Sequence, residues 1–500
     1  MNKPTAMKQM LFTLLYIVWL FLPQPGQAQN TASTPAATRQ LTLEETITLA
    51  LSSSISAKQA ATNQTSSYWQ WRVYKASYKP QISLEGILPN YSRTITPVIQ
   101  PDGTTDFRSV SISNSELALT VSQGVGLTGG EFFVSSQSQR FDDFDRRIKS
   151  YNSFPAIIGF NQPIFGYNAL AWDRKIEPLR YQESQRQFLE TRETVATTAA
   201  QRFFEVLLQQ VNWEIATKNV ENNQALLKIA EEKYRLGRLS RNELLQLKLS
   251  LMNAQLAQAK AATDLKTVGA AFNSYVGVPR GEKIMVQAPE HVPALQLNEE
   301  LALQQARLNR KERFQFERRV LEAEQDIAEA RGKGGFNANL YATFGLTKSA
   351  GNLSESFTQP ENQQQVTLGF SVPLLDWGKQ KASVRTAQAQ LQLAQYSVEQ
   401  EQTSFEQNVS TQVNQMELLQ EQLRITASAD SIAQERYDIA KATFLVGRIS
   451  ITDLNIALQE KDQARRAYVV ALQDFWVAHY RLRTLTLYDF ERGLPLVAEK

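Results

Sequence analysis

The 500-residue sequence contains no cysteine. That absence excludes disulfides, thiolate metal sites, cysteine nucleophiles and a lipid-modified N-terminal cysteine together. Histidine is almost as scarce: His291 and His479 are the two in the chain. They stand far apart with no acid–histidine motif beside either, so neither is expected to bind metal or act as a base. Charge of one sign is lacking as well, with 53 basic residues against 50 acidic ones and a formal net charge of +3. A nearly neutral chain makes no electrostatic case for nucleic acid. Long apolar runs are missing beyond the start. Lys3 and Lys8 precede an apolar stretch, Met10 to Leu22, and Gly26-Gln27-Ala28 offers small residues for cleavage. The stretch is too short for a comfortable membrane span and reads as a signal peptide over 1–28. Losing its two lysines takes the net charge from +3 to +1. The exported chain therefore has no candidate membrane helix, and any span must be made of strands. Gly124-Val-Gly126-Leu-Thr-Gly129 spells a dinucleotide motif, but such a site needs a helix after it. Here a strand pattern follows, so a hairpin turn is expected. No catalytic residue, cofactor or metal site is expected anywhere.

What is present is duplication. Ala230, Gly237, Arg238, Ser240 and Leu244 recur as Ala440, Gly447, Arg448, Ser450 and Leu454, all offset by 210. Tyr234/Phe444, Leu239/Ile449 and Glu243/Asp453 are chemically alike at that offset, and Pro163 matches Pro373. Upstream, Leu41 to Ile47 resembles Leu295 to Leu301 at an offset of 254. The change of offset means about 44 extra residues between Tyr91 and Phe154 of the first half. A period near 200 points to two pseudo-equivalent halves and not to a solenoid.

Each half has one layout. A helical opening (Leu41 to Tyr78; Leu297 to Ala330) leads into strands, then a very long helix, a tight Gly turn and a helix running back. Between Gly378 and Gly447 there is neither Gly nor Pro. Val384, Ala387, Leu391, Ala394, Val398, Phe405, Val409, Val413, Met416 and Leu419 form a coiled-coil-like stripe. Such a helix would be roughly 100 Å long, and it needs long neighbours to cover its stripe. The segments 337–346 and 365–372 alternate with period two, apolar on one face and small or polar on the other. That is the pattern of a membrane barrel strand. Gln81 to Leu88, Glu116 to Val121, Glu131 to Ser136 and Ala156 to Phe160 are further candidates. Four to six strands cannot close a barrel that needs about eight, and an open sheet edge is not tolerated in lipid. Several chains must share one barrel above a shared helical tube.

This arrangement resembles the TolC family of outer-membrane efflux proteins over nearly the whole mature chain. The elements that carry the resemblance are Gln162-Pro163-Ile-Phe-Gly166, Val372-Pro373-Leu-Leu-Asp-Trp-Gly378 and the turns at Gly237 and Gly447. The resemblance implies an α+β membrane protein: a homotrimer sharing a twelve-stranded β-barrel in outer-membrane lipid, on a long periplasmic α-helical barrel. It implies a signal peptide at 1–28 and a first repeat at 29–276, with strands about 81–162, helix 168–236 and return helix 240–276. An equatorial linker at 277–294 would follow. The second repeat would span 295–488, with strands about 336–373, helix 379–446 and return helix 450–488, before a tail at 489–500. Its partners would be a periplasmic adaptor and an inner-membrane transporter. Gly237, Arg238, Gly447 and Arg448 would form the docking tip, and Pro163 and Pro373 the barrel-to-helix junctions.

Two departures from the family pattern stand out. The extra residues either add a hairpin, for six strands, or form an external plug or a periplasmic fold. At the gate, Asp453 is present but Ile456 stands where some relatives carry a second acid; Glu243 is the other candidate gate acid. Ser240 to Glu243 and Ser450 to Asp453 also fit helix-capping patterns, a role compatible with a gate. The rival classes are a periplasmic coiled-coil adaptor or structural envelope protein, and a secreted enzyme. The first should lack the period-two segments, and the second should show a catalytic motif.

Overall fold

The computed structural model describes residues 39–279, 282 and 284–497. The expected signal peptide, residues 280, 281 and 283 of the expected linker, and 498–500 of the expected tail lie outside the described residues. Strand β1 (Arg39–Leu41) leads into helices α1 (Leu43–Ser53) and α2 (Ile55–Ser77). Four strands follow: β2 (Gln81–Ile99), β3 (Thr105–Val125), β4 (Gly130–Asp143) and β5 (Ile148–Ile164). Helix α3 (Ala169–Arg235) then runs out and α4 (Arg241–Val276) runs back. After β6 (Ile284–Val286) the plan repeats with α5 (Glu299–Asn309), α6 (Glu312–Gly334), β7 (Asn337–Ala350) and β8 (Glu361–Ser371). Helices α7 (Lys379–Leu445) and α8 (Ile451–Thr486) and the short pair β9 (Tyr488–Asp489) and β10 (Leu494–Pro495) complete it.

The halves match helix for helix: 11, 23, 67 and 36 residues in the first, and the same lengths in the second. A 67-residue helix is roughly 100 Å long and a 36-residue one roughly 54 Å. The return helices therefore cover only the lower part of each long helix, and α2 and α6 cover the upper part. Each opening pattern reads as one helix in sequence but is two in the structure. Ser54 is extended; it ends α1, and its hydroxyl caps α2 by accepting from the Ala57 amide at 3.1 Å. Arg310, also extended, makes the equivalent break. Among the described residues no helix is long and apolar enough to cross a membrane.

The sheet has six antiparallel strands in the order β2-β3-β4-β5-β7-β8. The two sequence offsets equate β2 with β7 and β5 with β8, so the extra residues are the hairpin β3–β4. Four strands per subunit, as a twelve-stranded trimer requires, is therefore corrected to six. The strands also run beyond their expected ends. The apolar alternation of β2 stops near Leu88, yet pairing resumes at Asn90 past a bulge and continues to Ile99 through Ser and Thr residues.

The main core lies where the short helices end and the long ones pass. Phe203, Phe204, Phe272 and Phe475 are fully buried there, beside Leu41 and Val286 of the parallel pair β1–β6.

Candidate functional site

The helix turns come first. At the end of α3 the Gly237 amide donates to the Tyr234 carbonyl at 2.9 Å and Arg238 to Lys233 at 2.8 Å. At the end of α7 the Gly447 amide donates to Phe444 at 2.9 Å and Arg448 to Thr443 at 3.1 Å. These are Schellman closures, which need a left-handed residue. Gly237 and Gly447 supply it with φ of +68° and +77°. Three residues on, each return helix starts in a reciprocal cap. The Glu243 amide donates to the Ser240 hydroxyl at 3.2 Å, and the Ser240 amide to the Glu243 carboxylate at 2.8 Å. Ser450 and Asp453 repeat this at 3.2 and 3.1 Å. The amide and then the hydroxyl of Ser240 hold the Glu243 carboxyl below its ordinary range. For Asp453 the Ser450 hydroxyl is the larger cause and the amide the second. Both acids are thus charged caps at the positive ends of their helices.

The two turns are held side by side by one small core of Ala230, Leu247, Tyr437, Phe444, Ile451 and Leu454. Arg238 and Arg448 are exposed and make no ion pair among the described residues. Sequence reasoning passed over Leu236 and Val446, which precede the two glycines and are 69% and 70% exposed. An apolar residue at the same place in both turns, 210 residues apart, was the available signal.

The sheet is the second element. Its register sorts the side chains onto two faces. Ile82, Val121, Val134, Ile158 and Phe344 share one, as do Leu84 with Leu119 and Leu340 with Leu368. The other carries Ser83, Thr120, Ser135, Thr343 and Gln365. On that polar face the Gln137 amide donates to Glu116 at 2.6 Å. Phe133 lies flat across Gly159, where a Cβ would overlap its ring. One apolar face and one polar face are what a wall between lipid and water requires.

At the junction, Pro163 sits in the last residues of β5 opposite Asn339, and Pro373 lies in the connection from β8 to α7. Asn168 caps α3 by accepting from the Ala171 amide at 3.1 Å, and its side-chain amide donates to the Gly126 carbonyl at 3.1 Å. The GxGxxG segment is thereby a hairpin turn tied to the start of α3.

Comparison with known proteins agrees with this geometry. The pattern of the outer membrane efflux protein family matches residues 129–278 and 302–486. The alkaline protease secretion protein AprF of Pseudomonas aeruginosa is 24% identical over 384 residues, 73% of this chain and 75% of that protein. The Campylobacter jejuni CmeC outer membrane channel superposes with a TM-score of 0.65 at 14% identity, covering 91% of this chain and 87% of that one. CusC, whose crystal structures concern folding and transmembrane channel formation, superposes with a TM-score of 0.62 at 17% identity, covering 93% and 97%.

Proposed function

The chain belongs to the outer membrane efflux protein family, and from that premise we propose that it is one of three identical subunits of a passive exit duct. The protein is an outer-membrane channel protein that reaches into the periplasm. In the proposed assembly, three six-stranded sheets close one barrel of eighteen strands, and the long helices form the tube below. The turns at Gly237 and Gly447, with Arg238, Arg448, Leu236 and Val446, meet a periplasmic adaptor. Glu243 and Asp453 ring the tip as gate acids while capping their helices. An inner-membrane transporter supplies the substrate and the energy, and this chain performs no catalysis.

The observation that carries the shared assembly is a pair of uncovered apolar stripes. Leu418, Ile425, Ile432 and Ile439 lie seven residues apart on α7, and Leu245, Leu249, Met252 and Leu256 form a heptad-like row on α4; all are more than half exposed. The duplication says what should cover them. In the second half, Asp462 and Arg466 of α8 turn toward α3, where they meet Asn219 at 2.6 Å and Asn212 at 2.9 Å. Their first-half equivalents are Met252 and Leu256. The equivalents of Asn212 and Asn219 are Gln422 and Ala429, which flank Ile425. A second copy laid against α4 with its α7 therefore repeats the internal packing, with apolar contacts in place of polar ones. The sheet edges agree, because β2 and β8 run in opposite directions and a neighbour's β8 can continue the antiparallel ladder at β2.

The test is export in cells lacking their own exit duct but holding a compatible pump and adaptor. The natural chain should lower intracellular dye and migrate as a trimer. Leu249→Glu with Ile425→Glu should lose both properties. A double variant that stayed trimeric and exported normally would sink the reading.

A further inference from the structure

We propose that the apolar side of the sheet ends in a cationic belt, Arg93, Arg140, Lys149 and Lys348, that binds phosphate-bearing lipid headgroups of the outer leaflet. This rests on the reading of the sheet as one third of a membrane barrel with its apolar face toward lipid.

Register sets the four along one diagonal of the outward face, each row two positions beyond the last. Lys348 pairs with Ser153, Ser153 with Ser138, Arg140 with Tyr151, Lys149 with Asp142, and Arg93 with Ser111. Each position continues the face that carries Val134, Ile158 and Phe344. The sheet's other strand cation, Arg108, is on the polar face, paired with Asp106 at 3.0 Å. The strand acids divide the other way. Glu85, Glu116, Glu131, Asp143 and Glu361 share the polar face with Asp106. Asp142 alone faces outward, bound to Arg140 at 2.8 Å. Solubility of a protein wall would be served by mixed charges on both faces. A wall sorted by sign, cations out and acids in, implies different neighbours on its two sides.

The level of the belt identifies the outer neighbour. On β7 the outward residues are Ala338, Leu340, Ala342, Phe344 and Leu346, and the next is Lys348. A strand crosses the hydrocarbon in about ten residues, so Lys348 emerges where the headgroups begin, on the side away from the helices. Tyr91, Tyr151 and Phe144 lie at the same level, with Tyr91 and Phe144 in edge contact at 5.8 Å between ring centres, as in an interfacial aromatic girdle. Arginine forks and lysine point charges both suit phosphate oxygens, and long cationic side chains reach past the apolar rim to meet them.

Native mass spectrometry of the full chain, released from phosphatidylcholine nanodiscs titrated with bisphosphorylated lipid A, tests the belt. The natural trimer should retain lipid A over phosphatidylcholine, and dephosphorylated lipid A should not be preferred. Arg93→Gln, Lys149→Gln and Lys348→Gln together should weaken retention on the order of 100-fold, with Arg140 kept because it neutralises Asp142. Arg93→Lys, Lys149→Arg and Lys348→Arg together should restore it. Equal retention by the glutamine variant, or of the dephosphorylated lipid, overturns the belt while trimers persist. Loss of trimers from the natural protein itself overturns the barrel reading instead.

Discussion

Replacing the tip glycines separates the docking role of the turns from the stability of the assembly. A Cβ at Gly237 or Gly447 would meet nothing within 4 Å, so alanine there costs only its conformation. Holding an L-residue at φ near +68° costs about 1–2 kcal/mol. The six-residue apolar core behind the turns can absorb that, and Gly→Ala should leave export largely intact. Proline differs in kind. It fixes φ near −65°, a swing of roughly 130° from the observed turn, and it removes the amide that donates to Tyr234 or Phe444 at 2.9 Å. Together these cost roughly 3 kcal/mol or more, and neither Schellman closure can then form. The damage stays local, since some 33 helical residues, roughly 50 Å, separate Gly237 from Phe204 of the main core. Gly237→Pro or Gly447→Pro should therefore reduce dye export below about a tenth, while heat-modifiable gels still show trimers in the membrane fraction. Normal export by both proline variants would refute the docking role of the turns.

Burial, aided by Arg483, lowers the His479 imidazole from 6.5 to about 4. Above pH 6.5 both states are neutral; as pH falls toward 4 only the unfolded chain takes the proton, so roughly 3 kcal/mol per subunit should be lost. His479→Gln should flatten this slope in denaturant unfolding followed against pH, and equal slopes would contradict the assignment. Arg310 is 3.2 Å from buried Glu190 and 2.6 Å from Glu312, and it donates to the Thr484 carbonyl at 2.7 Å. Arg310→Ala leaves Glu190 to Lys311 alone, whose ammonium is 3.6 Å and whose amide is 3.1 Å from its carboxylate, and should cost about 1.5–3 kcal/mol by thermal unfolding; a loss under 1 kcal/mol would show the pair to be solvated. Gly159→Val should push the Phe133 ring off the wall and lower barrel stability by about 1–3 kcal/mol, with Phe133→Ala restoring it. No rescue by the second change would disprove that contact.

Much of this architecture is legible in the sequence because the chain says it twice. The offset of 210 aligns the two tip turns with each other, and the run free of Gly and Pro between Gly378 and Gly447 announces α7. The offset of 254 locates the insertion but does not say what it folds into. Only the inner half of hairpin β3–β4 shows in the sequence, at 116–121 and 131–136. In the outer half Ser109, Ser111, Ser113 and Ser115 take the positions that Leu117, Leu119 and Val121 hold below, while Val110 and Ile112 fall on the polar face, so the apolar alternation is inverted. The breaks at Ser54 and Arg310 are invisible for a related reason, since helix periodicity continues across them. At the tip, the Ser–Glu and Ser–Asp spacings reveal the caps, while the exposure of Leu236 and Val446 depends on how the two turns pack together. The charge sorting of the sheet cannot be read from sequence at all, because the bulges that reset register at Ile87/Asn90, Ser135/Gln137 and Ser153/Ala156 decide which face each residue takes.

The most direct measurement is a cryo-EM map of the detergent-extracted protein at a resolution that separates strands. The account predicts a threefold particle with eighteen strands, six from each subunit, above a helical tube roughly 100 Å long, with α4 of each subunit against α7 of the next. A monomer, a twelve-stranded barrel with β3–β4 folded outside it, or a contact that leaves Leu249 and Ile425 in solvent would contradict it.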